Sequence, residues 1–196
     1  MKLVLDRMGI NQSTSILHLA PERGLYSYIK SISDNYVVGD IDLERYSHIP
    51  DIKFIDLCDP GTLSDFGSYD LIIHSHVIEH VPCNWTVVMT RLHRMLNAGG
   101  HHVFCIPIYG TCYDEYLGDI SDGDAERRFG QFDHVRRFSA ADLQKTLGAL
   151  FNLPESYSLL EHFSDSQLRQ ANIPEVAWFG YTGHSIFCLK RDDILI

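Results

Sequence analysis

Short apolar runs alternate along this chain with segments of helical period, and that alternation restricts the fold more than any other feature. Ser15–Ala20, Tyr36–Val38, Lys53–Leu57, Tyr69–His74, His102–Ile106 and His184–Leu189 read as buried strands. Between them, Leu25, Tyr28, Ile29 and Ile32 form one helical stripe, and Trp85, Val88, Leu92 and Met95 form another, which Asn97–Gly100 should stop. Ser139 should cap a further helix through Leu143, Leu147 and Leu150. The pattern predicts an α/β, doubly wound, mostly parallel sheet with helices on both faces. No repeat or linker interrupts the 196 residues, so a single domain over 1–196 is expected.

In such a sheet, ligands bind beyond the carboxyl ends of the strands, near the switch in strand order. The chemistry is therefore expected just after Ala20, Val38, Leu57, His74 and Ile106. Composition narrows the ligand. A net charge of −10 repels phosphate backbones, so no nucleic-acid partner is expected. No apolar run is long enough for a membrane span, and residues 1–11 do not read as a signal peptide. The five cysteines form no C-x-x-C pair, which predicts a cytoplasmic protein without disulfides or structural zinc.

The segment Tyr69-Asp-Leu-Ile-Ile-His-Ser-His-Val-Ile-Glu-His-Val81, with Arg91-Leu-His-Arg-Met-Leu-Asn-Ala-Gly-Gly100 after it, resembles the class I S-adenosylmethionine-dependent methyltransferases, in particular the type 11 subgroup. It is similar to that family's fourth strand, its "HVLEH" turn and the helix ending in "LKPGG". Gly130-Gln-Phe-Asp-His-Val-Arg-Arg-Phe138 resembles the late "DHVR" segment, and the likeness runs from about Ser15 to Lys190. The first loop, Leu17-His-Leu-Ala-Pro-Glu-Arg-Gly24, keeps only Gly24 of the glycines usual there and resembles a sub-branch with an "LHxAPE" turn. The resemblance implies a Rossmann-like fold, S-adenosylmethionine as cofactor and a small-molecule acceptor, an oxygen of a sugar or related metabolite.

The resemblance also assigns residues. Ala20, Pro21, Glu22 and Gly24 would line the methionine end of the cofactor, and Asp40 would accept from both ribose hydroxyls. Asp56 and Leu57 would lie beside the adenine, with Ser75 at the end of the fourth strand. For Asp42, turn capping is the expectation. An oxygen or nitrogen acceptor can need a base; His76, Glu79, His80 and His134 are the candidates, with His76 and His134 favoured because histidine titrates nearest neutrality. Glu79 and His80 are expected to hold their loop together, His18 to be a hydrogen-bonded core or near-site ring, and His93, His101 and His102 to lie at the surface.

The stretch 108–138 reads as an irregular, mobile lid. Tyr109 and Tyr113 would close on the acceptor, and Arg136, in a cluster with Arg127, Arg128 and Arg137, would meet an anionic group on it. Two rival readings remain. The fold could serve as a catalytically weak partner module, or His76-Val-Ile-Glu-His80 could be the H-x-x-E-H motif of a zinc peptidase. Pro82 follows too closely for a full helix there, so no metal is expected.

Overall fold

The computed structural model describes residues 1–196. Its centre is a sheet of β1 (Ile16–Leu19), β2 (Tyr36–Asp40), β3 (Lys53–Phe54), β4 (Tyr69–Ser75), β5 (Leu96–Cys105) and β8 (Ile186–Lys190), in the order β3-β2-β1-β4-β5-β8. All neighbours run parallel except β5 and β8, which pair antiparallel with Val103 opposite Cys188. β1 sits between β2 and β4, and this is the switch point of the doubly wound order. The expected fold class holds.

Residues on the central strands alternate between two apolar layers. Ile16, Leu71, Ile73 and Val103 face α1 (Lys2–Met8) and α2 (Arg23–Lys30), where Leu5 and Ile29 are fully buried. Leu17, Leu19, Ile72 and Phe104 face α3 (Trp85–Arg94), which contributes Trp85, Val88, Met89 and Leu92. Burial on both faces is what makes these strands continuous apolar runs. Asn84 starts α3 by accepting from the amides of Thr86 and Val87, as a capping asparagine does.

Several expectations need correction. α1 was not foreseen, because Leu3-Val4-Leu5 is too short a signal on its own. Asn97–Gly100 do follow α3, but as a bulge within β5: the register jumps from Tyr69–Leu96 to Leu71–His101. The segment after Ser139 is a 3-10 turn, Ala140–Lys145, and then the short α5 (Leu147–Leu150); Ser139 does cap its start, at 3.2 Å from the Asp142 amide. A further helix, α6 (Asp165–Gln170), was also not foreseen.

The 108–138 stretch is built rather than irregular. It carries β6 (Asp114–Glu115) paired antiparallel with β7 (Arg136–Arg137), and α4 (Asp122–Phe129) between them. Ala125 and Phe129 are fully buried, so the segment has apolar anchors that its Asp- and Gly-rich sequence conceals.

Candidate active site

At the carboxyl ends of β1, β2 and β4 lies a cleft of about 970 Å³, within the range of small-molecule and cofactor sites. Two backbone features shape it. Ala20, directly after β1, and His76, directly after β4, are non-glycine residues in the left-handed region, at φ 49° and 53°. Such conformations cost free energy and persist where surrounding structure enforces them, commonly at functional sites. Here the Ala20 amide donates to the Gly39 carbonyl (3.0 Å) and the His76 amide to the Cys105 carbonyl (3.0 Å), so each turn is tied to the neighbouring strand. A Cβ at Gly39 would press into the buried side chain of Ile55, just past β3, which would have to shift.

Ala20, Pro21, Glu22, Asp40, Asp56, Leu57 and Ser75 all line the cleft. Gly24 does not: it lies in the first turn of α2 with open space where a side chain would go. Where glycines are missing, the loop fixes the Glu22 side chain, its carboxylate 2.9 Å from His18 Nε2, while His18 Nδ1 meets the Tyr36 hydroxyl at 2.7 Å. His18 is fully buried, a hydrogen-bonded near-site ring as expected. Burial disfavours the Glu22 charge, but His18 outweighs it and keeps the carboxyl below its ordinary range.

Asp40 ends β2 half-buried. One carboxylate oxygen accepts the Asp42 amide at 2.7 Å, and desolvation raises its carboxyl above the usual value. Asp42 accepts the Arg45 amide at 3.1 Å, the turn role expected of it, and also lines the cleft. Asp56 accepts the Cys58 amide at 2.8 Å. Sequence reasoning missed Tyr46, Arg45, Val77, Gln131 and Asp133 as cleft residues: Tyr46 and Arg45 stand in no motif, and the segments holding the other three gave no sign of which side chains face the cleft.

The cysteine expectation is overturned. Cys58 and Cys83 form a disulfide with their Cα atoms 5.8 Å apart, joining the loop after β3 to the one after β4. The 25-residue separation matches no short motif, so only folding brings the two thiols together. Cysteine usage thus no longer argues for a reducing compartment. No helix is long and apolar enough to cross a membrane.

The candidate bases divide. His76 lines the cleft, but both its ring nitrogens are engaged: Nε2 is 3.6 Å from Cys105 Sγ, and Nδ1 is 3.0 Å from Glu79 Oε1. Cys105 first and Glu79 second push its value up to about 10, so at neutral pH it is a cation and not a base. His134 is buried and does not line the cleft; its Nδ1 donates to the Phe129 carbonyl at 3.0 Å. His80 does line the cleft, 3.3 Å from the Asp133 carboxylate, and its ring meets His134 edge-on at 4.6 Å. His93 and His102 are buried, not at the surface.

Nor do the expected acceptor contacts reach the cleft. The Tyr109 hydroxyl donates to the Phe129 carbonyl, and the Tyr113 hydroxyl sits between Trp85 Nε1 and Glu115, 2.9 Å from each. Arg136 is fully buried, with Nε 2.7 Å from Glu115 and its Nη atoms on the carbonyls of Ile78 and Cys83. Arg127 pairs with Asp124 and Arg128 with Asp114, while Arg137 donates to the Arg128 carbonyl. Arg136 is internal scaffolding, Arg127 and Arg128 form ion pairs at the surface, and none of the four arginines lines the cleft to meet an anionic acceptor there.

Fold and cleft together define a doubly wound domain with a cleft of cofactor-site size at its switch point. The family model described as "Methyltransferase domain" matches residues 15–152, and the chain belongs to that family. Among solved structures, it is similar to an S-adenosylmethionine-dependent methyltransferase from Mesorhizobium loti, at 16% identity and TM-score 0.54, covering 96% of this chain and 94% of that one. It is also similar to the complex between the Haloferax volcanii Trm112 methyltransferase activator and the putative methyltransferase, at 13% identity and TM-score 0.54, covering 96% and 87%. Coclaurine N-methyltransferase, bound to N-methylheliamine and SAH, matches at 18% identity and TM-score 0.48 over 72% of this chain; the chain spans only 45% of that protein. No curated protein sequence matches significantly.

Proposed function

We propose that this chain binds S-adenosylmethionine in the cleft and transfers its methyl group to a small, hydroxylated acceptor, an oxygen of a sugar or related metabolite. The observation that carries this reading is Asp40, a half-buried carboxylate at the end of β2 on the cleft wall, with one oxygen still free to accept. An ionised carboxylate only accepts, which suits two vicinal ribose hydroxyls. Glu22, Asp42, Asp56 and Asp133 make the wall acidic, a surface that favours a cofactor carrying a sulfonium and an ammonium.

Ala20, Pro21 and Glu22 then hold the methionine end, and Asp56 and Leu57 the adenine. Ser75 stays on the cofactor side, and His76, His80, Gln131 and Asp133 surround the acceptor end. In the transfer, the acceptor oxygen attacks the methyl carbon as the carbon–sulfur bond breaks. The sulfonium loses its charge, S-adenosylhomocysteine leaves, and the acceptor's proton passes to solvent by way of the Asp133 carboxylate on the cleft wall. Alignment and exclusion of water supply most of the acceleration. The variant first loop, with Glu22 clamped by His18, is a formed wall, which favours a working site over a weakened partner module.

Calorimetry with S-adenosylhomocysteine tests the reading. The parent should bind one equivalent, and Asp40→Ala should bind about 10- to 100-fold more weakly, as loss of charge-assisted hydrogen bonds predicts. A parent that shows no binding, or an Asp40→Ala variant that binds like it, overturns the assignment. A panel of sugars and other hydroxylated metabolites, scored by S-adenosylhomocysteine release, then identifies the acceptor.

A further inference from the structure

We propose that Glu79, His80 and His134 form a binding site for one divalent transition-metal ion of the zinc class. One ligand atom from each of the three lies within 4.8 Å of the other two. The residues come from separate segments, the turn after β4 and the loop before β7, which the Val135 amide already ties together by donating to the Glu79 carbonyl at 2.9 Å.

Glu79 supplies the independent sign of a ligand. It is fully buried; one carboxylate oxygen faces His76 Nδ1 at 3.0 Å, and the other, Oε2, has no partner at all. A buried acceptor left unpaired is costly, and a cation held there satisfies it. The two imidazoles are prepared in the manner of metal ligands. His134 Nδ1 faces the Phe129 carbonyl at 3.0 Å, and a carbonyl can only accept, so Nδ1 carries the proton and Nε2 carries the lone pair. His80 Nδ1 faces the Asp133 carboxylate at 3.3 Å, which favours the same tautomer. Outer carbonyl and carboxylate partners of this kind orient metal-bound histidines and raise their basicity.

Two imidazole nitrogens and one carboxylate oxygen suit zinc, with at least one position left open. Tetrahedral zinc sets its ligands roughly 3.3 Å apart, so small side-chain rotations close the cluster around the ion. His80 lines the cleft, so an ion held by the three residues would lie beside the acceptor end and could hold an acceptor oxygen; this last role rests on the methyltransferase reading. The site differs from an H-x-x-E-H motif. His76 is not a ligand, since both its nitrogens are engaged, and His134 lies too far along the chain for any spacing rule to find.

The test is titration of the chelator-stripped full chain with zinc chloride by calorimetry. The expected result is one equivalent bound with a Kd in the micromolar range or tighter. Glu79→Gln, nearly isosteric, and His80→Ala, at a half-exposed position, should each weaken it at least about 10-fold. His184→Ala, at an exposed histidine outside the cluster, should leave it unchanged. Binding only at millimolar zinc, or binding unaffected by His80→Ala, overturns the site even if Glu79→Gln fails to fold. S-adenosylhomocysteine binding on the same preparation separates the two readings. Zinc without S-adenosylhomocysteine leaves the metal site standing, and S-adenosylhomocysteine without zinc removes the metal site alone.

Discussion

His18 Nε2 and the Glu22 carboxylate lie 2.9 Å apart, linking a fully buried ring on β1 to the residue that opens α2. A glycine-rich turn makes room for a cofactor by omitting side chains. This turn keeps a side chain and fixes where it goes, with Tyr36 bracing the far side of the ring at 2.7 Å. A carboxylate held there is placed to accept from a ligand ammonium.

Glu22→Ala should therefore weaken S-adenosylhomocysteine binding about 10-fold, the loss of roughly one charge-assisted hydrogen bond. Glu22→Gln should fall between the variant and the parent, because the amide still accepts but carries no charge. Calorimetry at neutral pH checks both. Equal affinity in all three proteins would place the methionine end elsewhere.

Acid should destabilise the fold through a buried histidine cluster. His74 and His102 are fully buried with no hydrogen-bond partner on any ring nitrogen; His74 stacks on Phe104 and meets His102 edge-on, and His102 lies beside His93. Burial first, and the charge of His18 second, push His74 down to about 3, although Glu22 pulls the other way. Burial and the neighbouring His74 and His93 hold His102 well below its ordinary value. Both rings stay neutral in the folded chain, while the unfolded chain takes up protons below about pH 6.5. Stability is thus complete above that pH and declines as pH falls toward 3. Thermal melts from pH 7 to 4 should show a falling Tm, and His74→Leu should flatten the decline.

The central strands, the two amphipathic helices at 23–30 and 85–94, and the location of the cleft were legible in the sequence. Each is a local periodicity or follows from where parallel strands end. What could not be read was which way a polar side chain faces in a segment with no period. Tyr109, Tyr113, His134 and Arg136 carry groups that suit a substrate site, yet every one turns inward onto partners supplied by distant segments or carbonyls. His93 and His102 looked exposed because histidine is polar, while the packing of α3, β5 and Phe151 encloses them. Conversely, Gln131 and Asp133 reach the cleft and belong to no motif that singled them out as lining it.

Removing the Cys58–Cys83 disulfide should cost stability. The cross-link closes a loop spanning a sequence separation of 25, which includes β4 and the turn carrying His76 and Glu79. Chain entropy assigns such a loop about 3 kcal/mol. Cys83→Ser, or reduction of the parent, should lower the denaturation midpoint accordingly in urea. An unchanged midpoint under both treatments would mean that the bond does not form in solution.

Arg136 gives the sharpest test of whether residues 108–138 are scaffold or lid. Its guanidinium is fully buried and pairs with Glu115 at 2.7 Å, while its Nη atoms hold the carbonyls of Ile78 and Cys83, on either side of the turn that ends at the cleft. Truncation strands two carbonyls and the Glu115 carboxylate, which is 28% exposed, so the cost should fall below the roughly 3–5 kcal/mol of a fully buried pair. Arg136→Ala should accordingly lower Tm sharply. Arg136→Lys, which keeps the charge but loses the planar fork, should fall in between. Below its melting range, the Lys variant should bind S-adenosylhomocysteine nearly as the parent does, since the side chain never reaches the cleft. Hydrogen exchange completes the argument. The amides of Tyr109, Tyr116 and Val135 donate to Phe138, Val135 and Glu79, bonds that join the segment to itself and to the turn after β4. They should be protected in the free protein already. Protection that arises only when S-adenosylhomocysteine is added would restore the mobile lid and make Arg136 part of its closing.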